Sequence, residues 1–162
     1  MNPQKLSPAA EAIRLRIKEM IPELSRQTVE SHAKLLKAEK SGNNTYGGDL
    51  LAKQISLLSG ELPIPDPEVC VQILFFVEVR LIFKQNWGWR LLYFAVPTTV
   101  GNTRKKGFLI PLSEKTLREE TMKGATQEEA TQEEATQEGF YMEITTDPQV
   151  NSQTAAIIFV PR

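Results

Sequence analysis

The sequence predicts an α+β domain, with N-terminal helices packed on one face of an antiparallel sheet of about five strands. Three observations carry this. Residues 69–83 (VCVQILFFVEVRLIF) place an apolar side chain at every odd position, a period of two that marks a strand. The chain before them has helical spacing and helix boundary residues, and the chain after them has short β-rich runs broken by turns. Finally, 162 residues with 41% hydrophobic and 24% charged content match a globular domain that builds its own core. One domain over 1–162 is expected. It comprises a helical part (1–60), a proline-rich joint (61–68), sheet (69–112 and 140–162) and an insertion (113–139).

Ser7-Pro8 opens the first helix, since serine caps and proline suits the first helical position. Ile13, Ile17, Met20 and Leu24 share its core face, and Pro22 ends it near Met20. A second helix is expected over 23–40, with Val29, Ala33 and Leu36 on one stripe, Lys37 and Lys40 in its last turn, and Gly42 as its stop. The polar, glycine-rich stretch 41–48 then reads as a flexible connection. It lacks the lysine and the preceding strand of a phosphate-binding loop. Asp49 is expected to cap a third helix holding Leu51, Ile55 and Leu58, which Gly60 closes. The prolines at 63, 65 and 67 make the following joint stiff and extended.

At about 3.3 Å per residue, residues 69–83 as one strand would span about 50 Å, so a bend or break is expected near residues 75–77, where both faces are apolar. A hairpin follows, through a three-residue loop Asn86-Trp87-Gly88 with Gly88 left-handed. Its second strand (89–96) puts Trp89, Leu91, Tyr93 and Ala95 on the same face as Phe83, Leu81, Val79 and Val77, a dry face under the helices. Residues 98–106 form a polar, basic loop. A third strand (107–112) follows, with Pro111 at an edge or a strand end. Ser113 is expected to cap a helix over 114–123. Residues 125–139 repeat ATQEE with five glutamates and no base, a solvated tract with no chemistry of its own. Strands over 140–145 and 155–160 close the sheet.

The same residues bound function. A net charge of −1 gives no global electrostatic case for nucleic acid or an anionic membrane. One cysteine excludes an intramolecular disulfide, the first twenty residues lack the apolar core of a signal peptide, and the longest apolar run (73–77) is far too short to span a bilayer. A cytoplasmic location without membrane insertion is expected. Cys70 and His32 form no recognisable nucleophile–base pair, because Cys70 reads as a small buried hydrophobe and His32 as a helix-surface residue. Glu119, Glu120 and the repeat glutamates look solvated, and Glu78 reads as an ion-pair partner of Arg80 or Arg90. No cluster has metal-ligand spacing. No catalytic residue, cofactor or metal is therefore assigned.

The surface singled out is the hairpin tip with the basic loop: Lys84, Trp87, Trp89, Arg90, Arg104, Lys105 and Lys106. In the expected register Lys84 and Arg90 oppose each other, a repulsion that an anion or an acidic partner relieves. The function expected is non-catalytic protein or peptide binding, as an adaptor domain, with the acidic repeat as a candidate tethered competitor. The alternatives are nucleic-acid or other anion binding by these basic and aromatic side chains, and an enzyme of unrecognised type. Arg14, Arg16, Lys18, Arg26, Lys34 and Lys37 are interspersed with acidic residues and read as a solvated charged face.

Overall fold

The computed structural model describes residues 3–25, 33–64, 87–114, 116–117 and 139–161. In chain order they form β1 (Pro3–Lys5), α1 (Pro8–Glu19), β2 (Lys34–Ala38), β3 (Asn44–Gly47), α2 (Asp49–Gly60) and β4 (Trp87–Phe94). Then come β5 (Thr98–Thr99), β6 (Phe108–Pro111), β7 (Phe140–Glu143), β8 (Gln149–Val150) and β9 (Thr154–Pro161). Seven strands make one antiparallel sheet in the order β1-β7-β6-β9-β4-β3-β2, and β5 pairs with β8 in a separate ribbon. The α+β class holds, with a larger sheet than the five strands expected.

Alternation along the central strands sorts their side chains into two buried clusters. Leu91, Ile157, Phe159, Phe108 and Ile110 join Ala10 and Ile17 of α1 and Leu51, Ile55 and Leu58 of α2 in the first. Phe94, Leu109, Met142, Ala156 and Ile158 join Leu117 and Val150 in the second, on the opposite side of the sheet. Of the β4 residues expected on a dry face under the helices, Leu91 lies within the first cluster, and Trp89 and Tyr93, half-buried, pack against it.

Local chemistry explains the helices. The Ser7 hydroxyl accepts the Ala10 N–H, Pro8 begins α1, and the helix ends at a Met20 cap two residues before Pro22, as expected. Over Asp49–Gly60, α2 also matches its expected range, but its N-cap is Gly48, without a side-chain bond, and Asp49 lies in the first turn.

Four expectations are corrected. The segment expected to be the end of the second helix is instead strand β2, paired with β3, so the 41–48 connection is itself half strand. The turn between them closes through Gly42, whose φ of 88° suits a tight hairpin, and Gly42 N–H donates to Glu39 O. Among the described residues β2 ends the sheet, and its bulge between Leu35 and Lys37 and its exposed lysines are features that protect a strand edge.

β4 does not pair as the expected hairpin. Leu91, Leu92 and Tyr93 are bonded to β3 on one side and to β9 on the other, so both edges are taken there. Gly88 is an ordinary strand residue opposite Val160, not a left-handed turn position. The 69–83 segment itself lies outside the described residues. Ser113 caps no helix at the described residues 114, 116 and 117; its hydroxyl accepts the Ala155 N–H, and Leu117 bridges to Val150. The remainder of the expected 114–123 helix lies outside the described residues, as does the acidic repeat up to residue 138. Finally, Arg14 does not belong to a solvated basic face: it is 1% exposed and held by Glu11.

Candidate peptide groove

The site grows from the alternation of β4. Because Leu91 faces the helices, Arg90 and Leu92 face the other way, beside Ile158 and Ala156 of β9. Arg90 is exposed on that face. Two cavities lie along it, of about 290 Å³ and about 490 Å³, and both are walled by Arg90, Leu92, Val100 and Gly101. They are two lobes of one groove that crosses β3, β4 and β9. The narrow lobe has Ile158, Val160 and Pro161 on its apolar wall and Arg104 at its rim. The wide lobe adds Lys37 and Glu39, which pair with each other at 3.0 Å, and the polar side chains of Asn43, Thr45 and Thr98.

The rim is fixed by hydrogen bonds made across long stretches of chain. β5 pairs with β8, and Val100 N–H donates to Pro148 O at 2.9 Å. Asn102 is 4% exposed; its backbone N–H donates to Asp147 Oδ1 at 2.6 Å, and its Nδ2 donates to Ile144 O at 3.0 Å and Thr146 O at 3.4 Å. Lys105 N–H returns to Asn102 O at 2.9 Å, which closes the turn that presents Arg104. At the other end, Asn43 Oδ1 accepts the Ala95 N–H at 3.0 Å while Nδ2 donates to Thr98 Oγ1 at 3.0 Å. Those two asparagines anchor the rim loop at both ends of the groove.

Arg90 and Arg104 thus line one cavity. Lys105 and Lys106 are exposed and line neither lobe. Trp87 and Trp89 stand on the opposite face of the sheet from Arg90, half-buried, with Trp87 against Phe108 at a ring separation of 5.7 Å. The tip therefore does not interleave aromatic with basic side chains on one surface. Lys84, Cys70, His32, Glu78, Arg80, Glu119 and Glu120 lie outside the described residues, so the expected Lys84–Arg90 juxtaposition does too.

Sequence reasoning missed Lys37, Asn43, Asn102 and the apolar floor. The unbroken apolar run over 155–160, which leaves both faces of that strand apolar, was the signal for the floor; nothing local marks the two asparagines. Among the described residues no group of three or more His, Cys, Asp or Glu side chains is placed to hold a metal ion, and no helix is long and apolar enough to cross a membrane. Beside the wide lobe, the Tyr93 phenol is pushed up by burial and then by the negative charge of Glu23. No family model, no curated protein and no solved structure matches this chain.

What the groove can do chemically follows from its walls. Its floor is apolar, its rim is polar, and three cations (Lys37, Arg90, Arg104) face a single carboxylate, Glu39. No nucleophile with an adjacent base stands among its described lining residues. Such walls suit retention of an extended, acidic chain with some apolar side chains.

Proposed function

We propose that this chain is a non-catalytic peptide-binding domain whose site is the groove across β3, β4 and β9. The observation that carries the reading is the pair of lobes sharing Arg90, Leu92, Val100 and Gly101, which gives one trough with an apolar floor and a cationic surplus. An extended acidic peptide satisfies both features. Single-stranded nucleic acid is served less well, because the tryptophans that would stack its bases, Trp87 and Trp89, face the other way, and the two aromatic residues at the wide lobe are half-buried (Tyr93) and buried (Phe94).

The test is fluorescence anisotropy with a labelled fifteen-residue glutamate-rich peptide containing leucine and valine, titrated with the full chain. A second preparation carries glutamine at all five repeat glutamates, which removes any competition from the chain's own acidic tract. Saturable binding, weakened about tenfold by Arg90→Ala, is the expected result. Absence of saturable peptide binding in both preparations overturns the proposal, and so does preferential binding of a labelled oligothymidine of equal length.

A further inference from the structure

The narrow lobe differs from the rest of the groove in its charge. Arg90 and Arg104 both line it, no carboxylate does, and neither arginine makes an ion pair among the described residues. Lys37 in the wide lobe, by contrast, already has Glu39. At about 290 Å³ the lobe lies at the lower end of ligand cavities, which run to about 1,000 Å³, so it holds one side chain rather than a nucleotide.

We infer that the narrow lobe is an oxyanion subsite that reads a phosphorylated side chain on the bound peptide, an inference that rests on the peptide-binding reading of the groove. Together the two guanidinium groups carry a charge of two. A phosphomonoester carries about −1.5 to −2 near neutral pH and offers three acceptor oxygens, so it neutralises both, whereas one carboxylate leaves a positive charge over. The planar fork of each guanidinium takes two such oxygens at once. Leu92, Ile158 and Val160 give the lobe an apolar wall on one side, which lowers the local dielectric and strengthens those contacts. Asn102 is the positioning residue. Its bonds to Asp147, Ile144 and Thr146 set the turn that carries Arg104.

Three peptides of one sequence, with serine, glutamate or phosphoserine at the centre, are titrated calorimetrically into the full chain, and O-phosphoserine is titrated alone. The phosphopeptide is expected to bind about tenfold more tightly than the serine peptide, with the glutamate peptide between them. Arg90→Gln and Arg104→Gln should each erase that gain. Gly101 gives a variant that preserves the arginines: a Cβ added there meets no atom within 4 Å, so Gly101→Glu supplies a competing carboxylate. Glutamate at 101 should abolish the gain. Equal affinities for the three peptides, or a gain that survives loss of both arginines, overturn the subsite while leaving peptide binding intact. O-phosphoserine binding that needs both arginines, in a chain that binds none of the peptides, supports the subsite and instead overturns the peptide reading.

Discussion

Trp89 and Arg90 are consecutive in β4 and stand on opposite sides of the sheet, Trp89 beside Phe159 and Arg90 beside Ile158. Trp89 packs against the cluster shared with the helices, while Arg90 walls both lobes of the groove. The core and the groove wall are therefore separable at adjacent positions. Trp89→Ala should destabilise the protein by roughly 2 kcal/mol, below the range for a fully buried tryptophan because this one is half-exposed. Arg90→Ala should stay within about 0.5 kcal/mol of the parent, as for other surface changes. Urea unfolding of the two variants checks both numbers.

Tyr46 predicts a pH dependence. It is 4% exposed, its hydroxyl donates to Glu23, and Asn44 Nδ2 donates to the same carboxylate at 2.9 Å. Burial and then Glu23 hold the phenol far above its ordinary value of 10.0. The folded state therefore keeps this proton where the unfolded chain releases it. The corresponding stability is complete below pH 10.0 and is lost as pH rises from there through the folded value. Tyr46→Phe should lower stability by about 1 kcal/mol at neutral pH and flatten the decline above pH 10.0. Tyr93, shifted the same way, leaves a residual slope. Denaturant midpoints from pH 8 to about 11 measure both effects.

Where the fold was legible, short-range chemistry decided it. Ser7-Pro8 set one end of α1, and the spacing of Leu51, Ile55 and Leu58 set α2. The runs at 107–112, 140–145 and 155–160 became β6, β7 and β9. Lysine, leucine and alanine in 34–38 favour a helix on propensity alone, and pairing with β3 overrode that preference. The hairpin partner of β4 was misassigned for a related reason. A strand's neighbours are set by contacts between distant segments, and here β9 lies across its whole length. The groove was half legible. Basic residues at 90 and 104 are visible in the sequence, but Asn102 acts through Ile144, forty-two residues away.

Gly107 sits where β6 begins, and the constraint there is steric. A Cβ on it would lie 2.7 Å from Phe159 O and 3.1 Å from a carbon of Ile144, whose N–H donates to Gly107 O at 2.8 Å. The nearest atom is backbone of the central strand β9, which cannot swing away as a side chain would. Gly107→Ala should therefore destabilise by about 1–3 kcal/mol, the usual range for overpacking. Gly101→Ala, in the same loop but with open space around it, should change stability by less than about 0.5 kcal/mol. Thermal unfolding of the two alanine variants distinguishes a steric cause from a general loss of glycine.

Arg14 makes the sharpest test of how α1 is joined to the sheet. Its guanidinium, 1% exposed, donates from Nε and Nη2 to both oxygens of Glu11 at 2.8 Å, and from Nη1 to Pro111 O at 3.5 Å. Glu11 is itself 32% exposed, so solvent screens part of the pairing and the energy lies below that of a wholly buried pair. Glu11→Ala removes the bidentate acceptor and keeps the buried cation, and should destabilise by roughly 2 kcal/mol. Arg14→Met removes the cation and keeps an apolar stem of similar length, while the freed Glu11 is reached by water. It should be the milder change. If the desolvated charge is what the carboxylate compensates, the double variant Glu11→Ala/Arg14→Met will be more stable than Glu11→Ala alone. A double variant whose loss equals the sum of the two single losses would show that the pair contributes by packing, with no energetic coupling between the charges.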